Sequence, residues 1–159
     1  MPRASCGRRW REASMTIRSE QAKAAWIEIR RRETELTSDR DRADFAVIRS
    51  GYAGAYTRAK KKKQLDTFLS VSEAIARFRG QKRVCALTGQ PFDATQLHTG
   101  KTLKSPKRAS LDCRNPQQGY TFANTRWTWA IANMARNEWP DHIFIEMCRE
   151  VVVIADRRK

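Results

Sequence analysis

The sequence predicts a small α+β domain. Three observations carry that expectation. Helical apolar spacing with a reciprocal capping signature lies upstream of residue 80, an apolar–polar alternation broken by a Pro/Gly turn spans 109 to 129, and helical spacing returns from there to the end. A chain of 159 residues is long enough for one compact domain with a modest core plus an extension.

Taken in order, "MPRASCGRRWREAS" is Arg-rich and has no apolar stretch of the kind a secretory signal needs, although it imitates an organellar transit peptide. It reads as a disordered tail, or as a start assigned too early, since Met15 opens a cleaner helical pattern. Residues 17 to 49 read as helical, with Ala22, Ala25, Trp26, Ile29 and Leu36 at three- and four-residue steps. In "LTSDR", Ser38 or Asp39 is a cap that starts a second helix through Phe45 and Ile48, and "SGYAG" (50–54) is expected to interrupt it. The run Lys60, Lys61, Lys62 and Lys63 is either a solvated helix end or a phosphate-contacting segment. Ser70 and Glu73 then match a capping box, Val71, Ala74, Ile75 and Phe78 form a buried stripe, and Gly80 is placed to end the helix in the left-handed conformation.

"VCALTGQPF" (84–92) reads as a strand entering a tight turn, and 93 to 108 as a polar loop carrying Lys101, Lys104, Lys107 and Arg108. "ASLDC" alternates as a strand. In "RNPQQGY" Pro116 fixes one dihedral and Gly119 permits positive φ, and "NTRWTW" returns as the second strand. "WAIANMARNEW" is helical, with Ala130, Ile131, Met134 and Ala135 on one face and Asn133, Arg136 and Asn137 on the other. The last helix follows Pro140, with Ile143, Phe144, Met147, Cys148 and Val151 as its core stripe.

The charge narrows the partners. With 32 Lys+Arg against 17 Asp+Glu the chain carries +15, a self-repulsion that points to a polyanion, nucleic acid before an anionic membrane surface. No apolar run approaches the roughly 20 residues that span a bilayer. The four cysteines, Cys6, Cys85, Cys113 and Cys148, form no CxxC pair, which argues against a zinc knuckle or disulfide scaffold and for a reduced, intracellular (cytoplasmic) setting.

Within 109–138 the order is strand, turn, strand, helix. Asp112 sits near the end of the first strand. If the helix packs across the hairpin, Asn133 approaches Asp112. A carboxylate and an amide oxygen are hard ligands that suit a mostly hydrated Mg²⁺ (Mn²⁺ being a substitute), with Arg136 directed at the same phosphate.

These segments resemble the HNH (ββα-metal, or His-Me finger) endonucleases, in a branch common in phage and bacterial genomes. "CALTGQP" matches Cys85 to Pro91, including Gly89. "SLDCRNPQQGYTFANTR" matches Ser110, Leu111, Asp112, Pro116, Gly119, Tyr120, Thr121 and Asn124. "ANMAR" places Asn133 at a metal-ligand position, and "FLSVSEAIARF" resembles the short capped helix ahead of the Cys. The resemblance covers roughly residues 65 to 150. It implies a ββα-metal finger flanked by helices, a divalent metal on Asp112 and Asn133, DNA as partner, and hydrolysis of a phosphodiester with water activated by the residue after the Asp. That residue is Cys113, where the broad family has His and this branch often Arg, and Asn115 replaces the branch's second acid. A surrounding positive charge is expected to lower the Cys113 thiol pKa.

The remaining residues divide between site and scaffold. Arg114, Arg126 and Arg136 are phosphate-contact candidates, with surface solubility as the alternative for the first two. Cys85 and Cys148 read as small buried hydrophobes, Tyr120 as packing over the hairpin, Asn124 as holding the loop through backbone hydrogen bonds, and Trp127 as core, with base stacking its alternative. His98 lies in the variable loop, within reach of the site, and His142 in the first turn of the last helix. A zinc site from Cys85, Cys113 and a histidine has no recognisable spacing, so no structural zinc is expected. The resulting division is a basic tail (1–14), a basic helical region (15–64) and an HNH-like domain (65–159). Metal-dependent DNA cleavage leads, followed by a catalytically degenerate nucleic-acid-binding protein on the same scaffold, then an RNA-packing protein on charge alone.

Overall fold

A computed structural model describes residues 23–24, 26–93 and 105–158. The expectations for the N-terminal tail, for Ala22 and Ala25, and for His98, Lys101 and Lys104 fall outside the described residues. The rest is α+β. Helix α1 is described over 26–34, and then come α2 (Asp39–Lys61), α3 (Val71–Gly80), β1 (Ala109–Cys113), β2 (Thr125–Trp129), α4 (Ala130–Arg136) and α5 (Asp141–Arg157).

The hairpin is antiparallel and in register from Ala109↔Trp129 to Cys113↔Thr125, with a 3-10 turn at Pro116–Gln118 and Gly119 at φ 65° closing the connection. Alternation sends Leu111 and Trp127 to one face and Asp112 and Arg126 to the other. The first face meets α2 and α3. Trp127 is fully buried there and donates its indole N–H to Ala74 O at 3.0 Å. Burying an indole of roughly 200 Å² at about 25 cal/mol/Å² is worth about 5 kcal/mol before entropy. One apolar core runs from Ile29 and Phe45 through Ile48, Tyr52 and Phe78 to Leu111 and Trp127, so α2 belongs to the same packed unit as α3 and the hairpin and is not a separate arm.

Two expectations at glycines change. The "SGYAG" segment does not interrupt α2. The helix, capped by the Ser38 side chain, continues through Gly51 and Gly54 to Lys61. Gly51 lies where α2 crosses β1. A Cβ there would stand 2.5 Å from Ala109 O and 3.0 Å from Trp127 Cζ3, so the missing side chain is what lets helix and strand touch. Helix α3 has its Ser70–Glu73 capping box and its buried stripe, but the left-handed residues that follow it are Lys82 and Arg83, not Gly80.

The segment 84–91 is a turn closed by a single Val84↔Pro91 bridge, not a strand. Gly89 takes φ 67° and donates its N–H to the buried Cys85's carbonyl. The last two helices reverse the predicted pattern. Ile131 and Met134 of α4 face solvent while Ala132 and Arg136 are buried, and no residue of α5 is buried, with Cys148 only half-covered. Among the described residues no helix is long and apolar enough to cross a membrane.

Candidate functional site

The face of the hairpin turned away from the core is covered by α4. Asn133 donates from Nδ2 to Ser110 Oγ at 2.9 Å and to Leu111 O at 3.4 Å, which fixes α4 across β1. Its Oδ1 accepts no hydrogen bond among the described residues. Asp112 and Asn133 line one cavity of about 350 Å³, together with Arg58, Lys62, Arg108 and Arg136. The sequence thus brought its two proposed ligands to a common wall, by the strand–turn–strand–helix order it relied on.

Asp112, however, is not an open ligand. Its carboxylate is 1% exposed, and both oxygens are taken. The cross-strand partner Arg126 donates from Nε to Oδ2 at 2.8 Å, and Arg136 from Nη2 to Oδ1 at 2.6 Å. Arg126 turns its other two nitrogens onto Asp141, at 2.5 Å each, tying the start of α5 to the hairpin and holding the Asp141 carboxyl below the usual range. Arg136 also caps Cys113 O at 3.1 Å and Trp139 O at 2.7 Å, and its buried Nε has no hydrogen bond. Arg126 and Arg136 are balanced by Asp112 and Asp141, so the positive excess at the cavity wall comes from Arg58, Lys62 and Arg108, offset in part by Glu138.

Three site expectations change with this geometry. Arg126 is buried and does not line the cavity, so it is not placed to touch a phosphate. The Cys113 thiol is pushed up, not down, by burial first and by the adjacent Asp112 charge second. Its Sγ lies 3.2 Å from Asn115 O and 3.0 Å from Gly119 O, and accepts from Asn124 Nδ2 at 3.0 Å. This is the setting of a neutral donor closing a turn, whereas a base needs the thiolate. The lysine run is divided: Lys62 lines the cavity and Lys60, Lys61 and Lys63 do not.

The supporting residues are clearer. Asn124 holds the turn through Asn115 and Gly119 backbone at 2.7 to 3.0 Å. Tyr120 packs on Phe68 and accepts from Arg58 Nε at 2.8 Å, which aims Arg58 at the cavity. Arg114 is exposed at the turn. His142 lies exposed in the first turn of α5. Arg58 and Arg108 were not singled out as site residues by sequence. Arg58 reaches the cavity only because α2 continues past Gly54, where a helix break was expected.

The HNH resemblance implies a divalent metal at Asp112 and Asn133. Among the described residues no group of three or more His, Cys, Asp or Glu side chains gathers to hold a metal ion. Both oxygens of the buried Asp112 are already taken by fixed cations, and a dication beside it would be an uncompensated charge next to Arg126 and Arg136 in a nearly dry setting. As arranged, the donor set does not fit a divalent cation. Compared with family models, with curated proteins and with solved structures, the chain matches none.

Proposed function

We propose that this chain binds nucleic acid through its phosphates, on a scaffold of the ββα-metal type in which a guanidinium pair stands where a cation would sit. The observation that carries this reading is the closed pairing of Asp112 with Arg126 and Arg136 beside a cavity walled by Arg58, Lys62 and Arg108. A phosphate entering that cavity meets Arg58, Lys62 and Arg108 against the carboxylate of Glu138, the single acid at its wall unpaired among the described residues. The +15 net charge supplies the long-range attraction.

Anisotropy of a labelled duplex, read across a salt series, tests it. Binding should weaken steeply with salt. Lys62→Ala should lower the log–log slope by about 1, as loss of one phosphate contact does. Lys60→Ala should alter it less. Absence of binding at low salt would end the proposal.

Metal-dependent DNA cleavage of the HNH type is the second reading, favoured by one observation: the unpaired Asn133 Oδ1 shares a wall with Asp112. It requires Arg136 to leave Asp112. Nicking of plasmid DNA that needs Mg²⁺ or Mn²⁺ and stops with EDTA would establish it over the first reading. Binding without nicking would leave the first in place.

A further inference from the structure

Helix α5 has 17 residues and none is buried, although Ile143, Met147, Val151 and Ile154 recur at four-, four- and three-residue steps. All four are more than 40% exposed, as are Val152 and Val153, with Ile145 at 40%. Together these side chains bare on the order of 600 Å² of apolar surface, the upper end of what a lone monomer exposes and about three-quarters of one partner's share of a standard interface. The helix is held to the body at its start, by the Arg126–Asp141 pair, and packs against α4. A helix of this length gains little from propensity alone and draws its stability from a covered face.

We propose that α5 pairs with α5 of a second copy of this chain, antiparallel, along the Ile143–Met147–Val151–Ile154 seam. Charge selects the occupant. From 141 to 158 there are four acids and three bases, in a chain that otherwise carries all of its +15 excess elsewhere. The α5 of a second copy meets no net like charge here, and a nucleic acid approaching α5 finds no excess of bases. Charge also selects the direction. The first ten residues carry three acids (Asp141, Glu146, Glu150) and one base, and the last eight two bases (Arg157, Arg158) and one acid, so antiparallel helices set the acid-rich half of one against the base-rich half of the other, and their dipoles oppose. The spacing keeps the four side chains in one stripe along the helix.

Sedimentation equilibrium of the full chain, stripped of nucleic acid, at micromolar concentration tests this. A dimer is expected. Val151→Glu, on the seam, should weaken association at least tenfold without changing the circular dichroism of the monomer. Arg149→Glu, on the opposite side of the helix at 100° per residue, should leave it intact. A monomeric wild type overturns the proposal, whether α5 amides exchange freely or are protected by another part of the same chain. Equal loss in the Val151 and Arg149 variants overturns it too.

Discussion

The molecule holds two buried aspartates, each gripped by two arginines, and they are built for different ends. Asp44 on α2 is 6% exposed and takes Arg79 at 2.6 Å and Arg83 at 2.8 and 3.0 Å. Asp112 on β1 takes Arg126 at 2.8 Å and Arg136 at 2.6 Å. The contacts are alike, but the arginines are not. The Arg79 and Arg83 side chains are 32% and 41% exposed, those of Arg126 and Arg136 only 6% and 2%. The first pair staples α3 and the turn after it to α2 at the surface, where water shares the load. The second is buried between hairpin and α4, with Asp112 and Arg136 at the cavity wall. The same residues in the same pairing give a surface clamp in one place and a charged wall in the other, and solvent access makes the difference.

Removal of the acids sharpens this most. Asp112→Ala takes from the buried Arg136 its hydrogen-bonded carboxylate, while Arg126 keeps Asp141, and should destabilise the fold by about 3–5 kcal/mol in denaturant unfolding. Replacing all three charges together (Asp112→Leu, Arg126→Met, Arg136→Met) should cost much less than that single change, because no ion is stranded. Asp44→Ala lets its arginines return to water and should cost about 1–2 kcal/mol, a penalty that shrinks in high salt while the Asp112 penalty does not. Equal costs for the two acids would dissolve the distinction.

Acid gives a smaller, signed effect. Hydrogen bonds from Arg83 and Arg79 hold the Asp44 carboxyl below the usual carboxylate range. Its stabilisation is therefore complete above the ordinary value of about 3.9 and is lost as pH falls through the lower folded one. Asp44→Asn should flatten the stability profile below about pH 4; an unchanged profile would place the acid sensitivity elsewhere. Smallest of all, Cys113→Ser keeps a donor for the Asn115 and Gly119 carbonyls and should shift stability by less than about 1 kcal/mol. The native thiol should alkylate more slowly at pH 8 than a free cysteine, since its folded pKa is raised.

The hairpin, the capped α3 and the approach of Asn133 to β1 were legible in sequence because each is set by local chemistry: alternation, a Ser–Glu reciprocity, a Pro–Gly turn. The failures have a common cause in long-range contact. Gly51 and Gly54 read as breakers because propensity sees only the helix, while Ala109 O, far off in sequence, makes Gly51 necessary. Helix α4 read inside-out because Ile131 and Met134 look like core and Arg136 like surface. The buried Asp112 reverses that by drawing the arginine inward. Sequence found the carboxylate and the amide of the site but not the guanidinium groups that close on the carboxylate. Arg126 and Arg136 were visible as charges, and only three-dimensional pairing assigns them to Asp112 instead of to a ligand.

The crossing of α2 over β1 at Gly51 bears on how the chain reaches its native state. Two strands alone are marginal in water, and here the pair is backed by a helix encoded nearly sixty residues earlier. The hairpin with α4 is therefore no autonomous module. Excised, it should stay a random coil, and in the intact chain its hairpin should order late, in a single concerted event limited by closure of that long intervening loop.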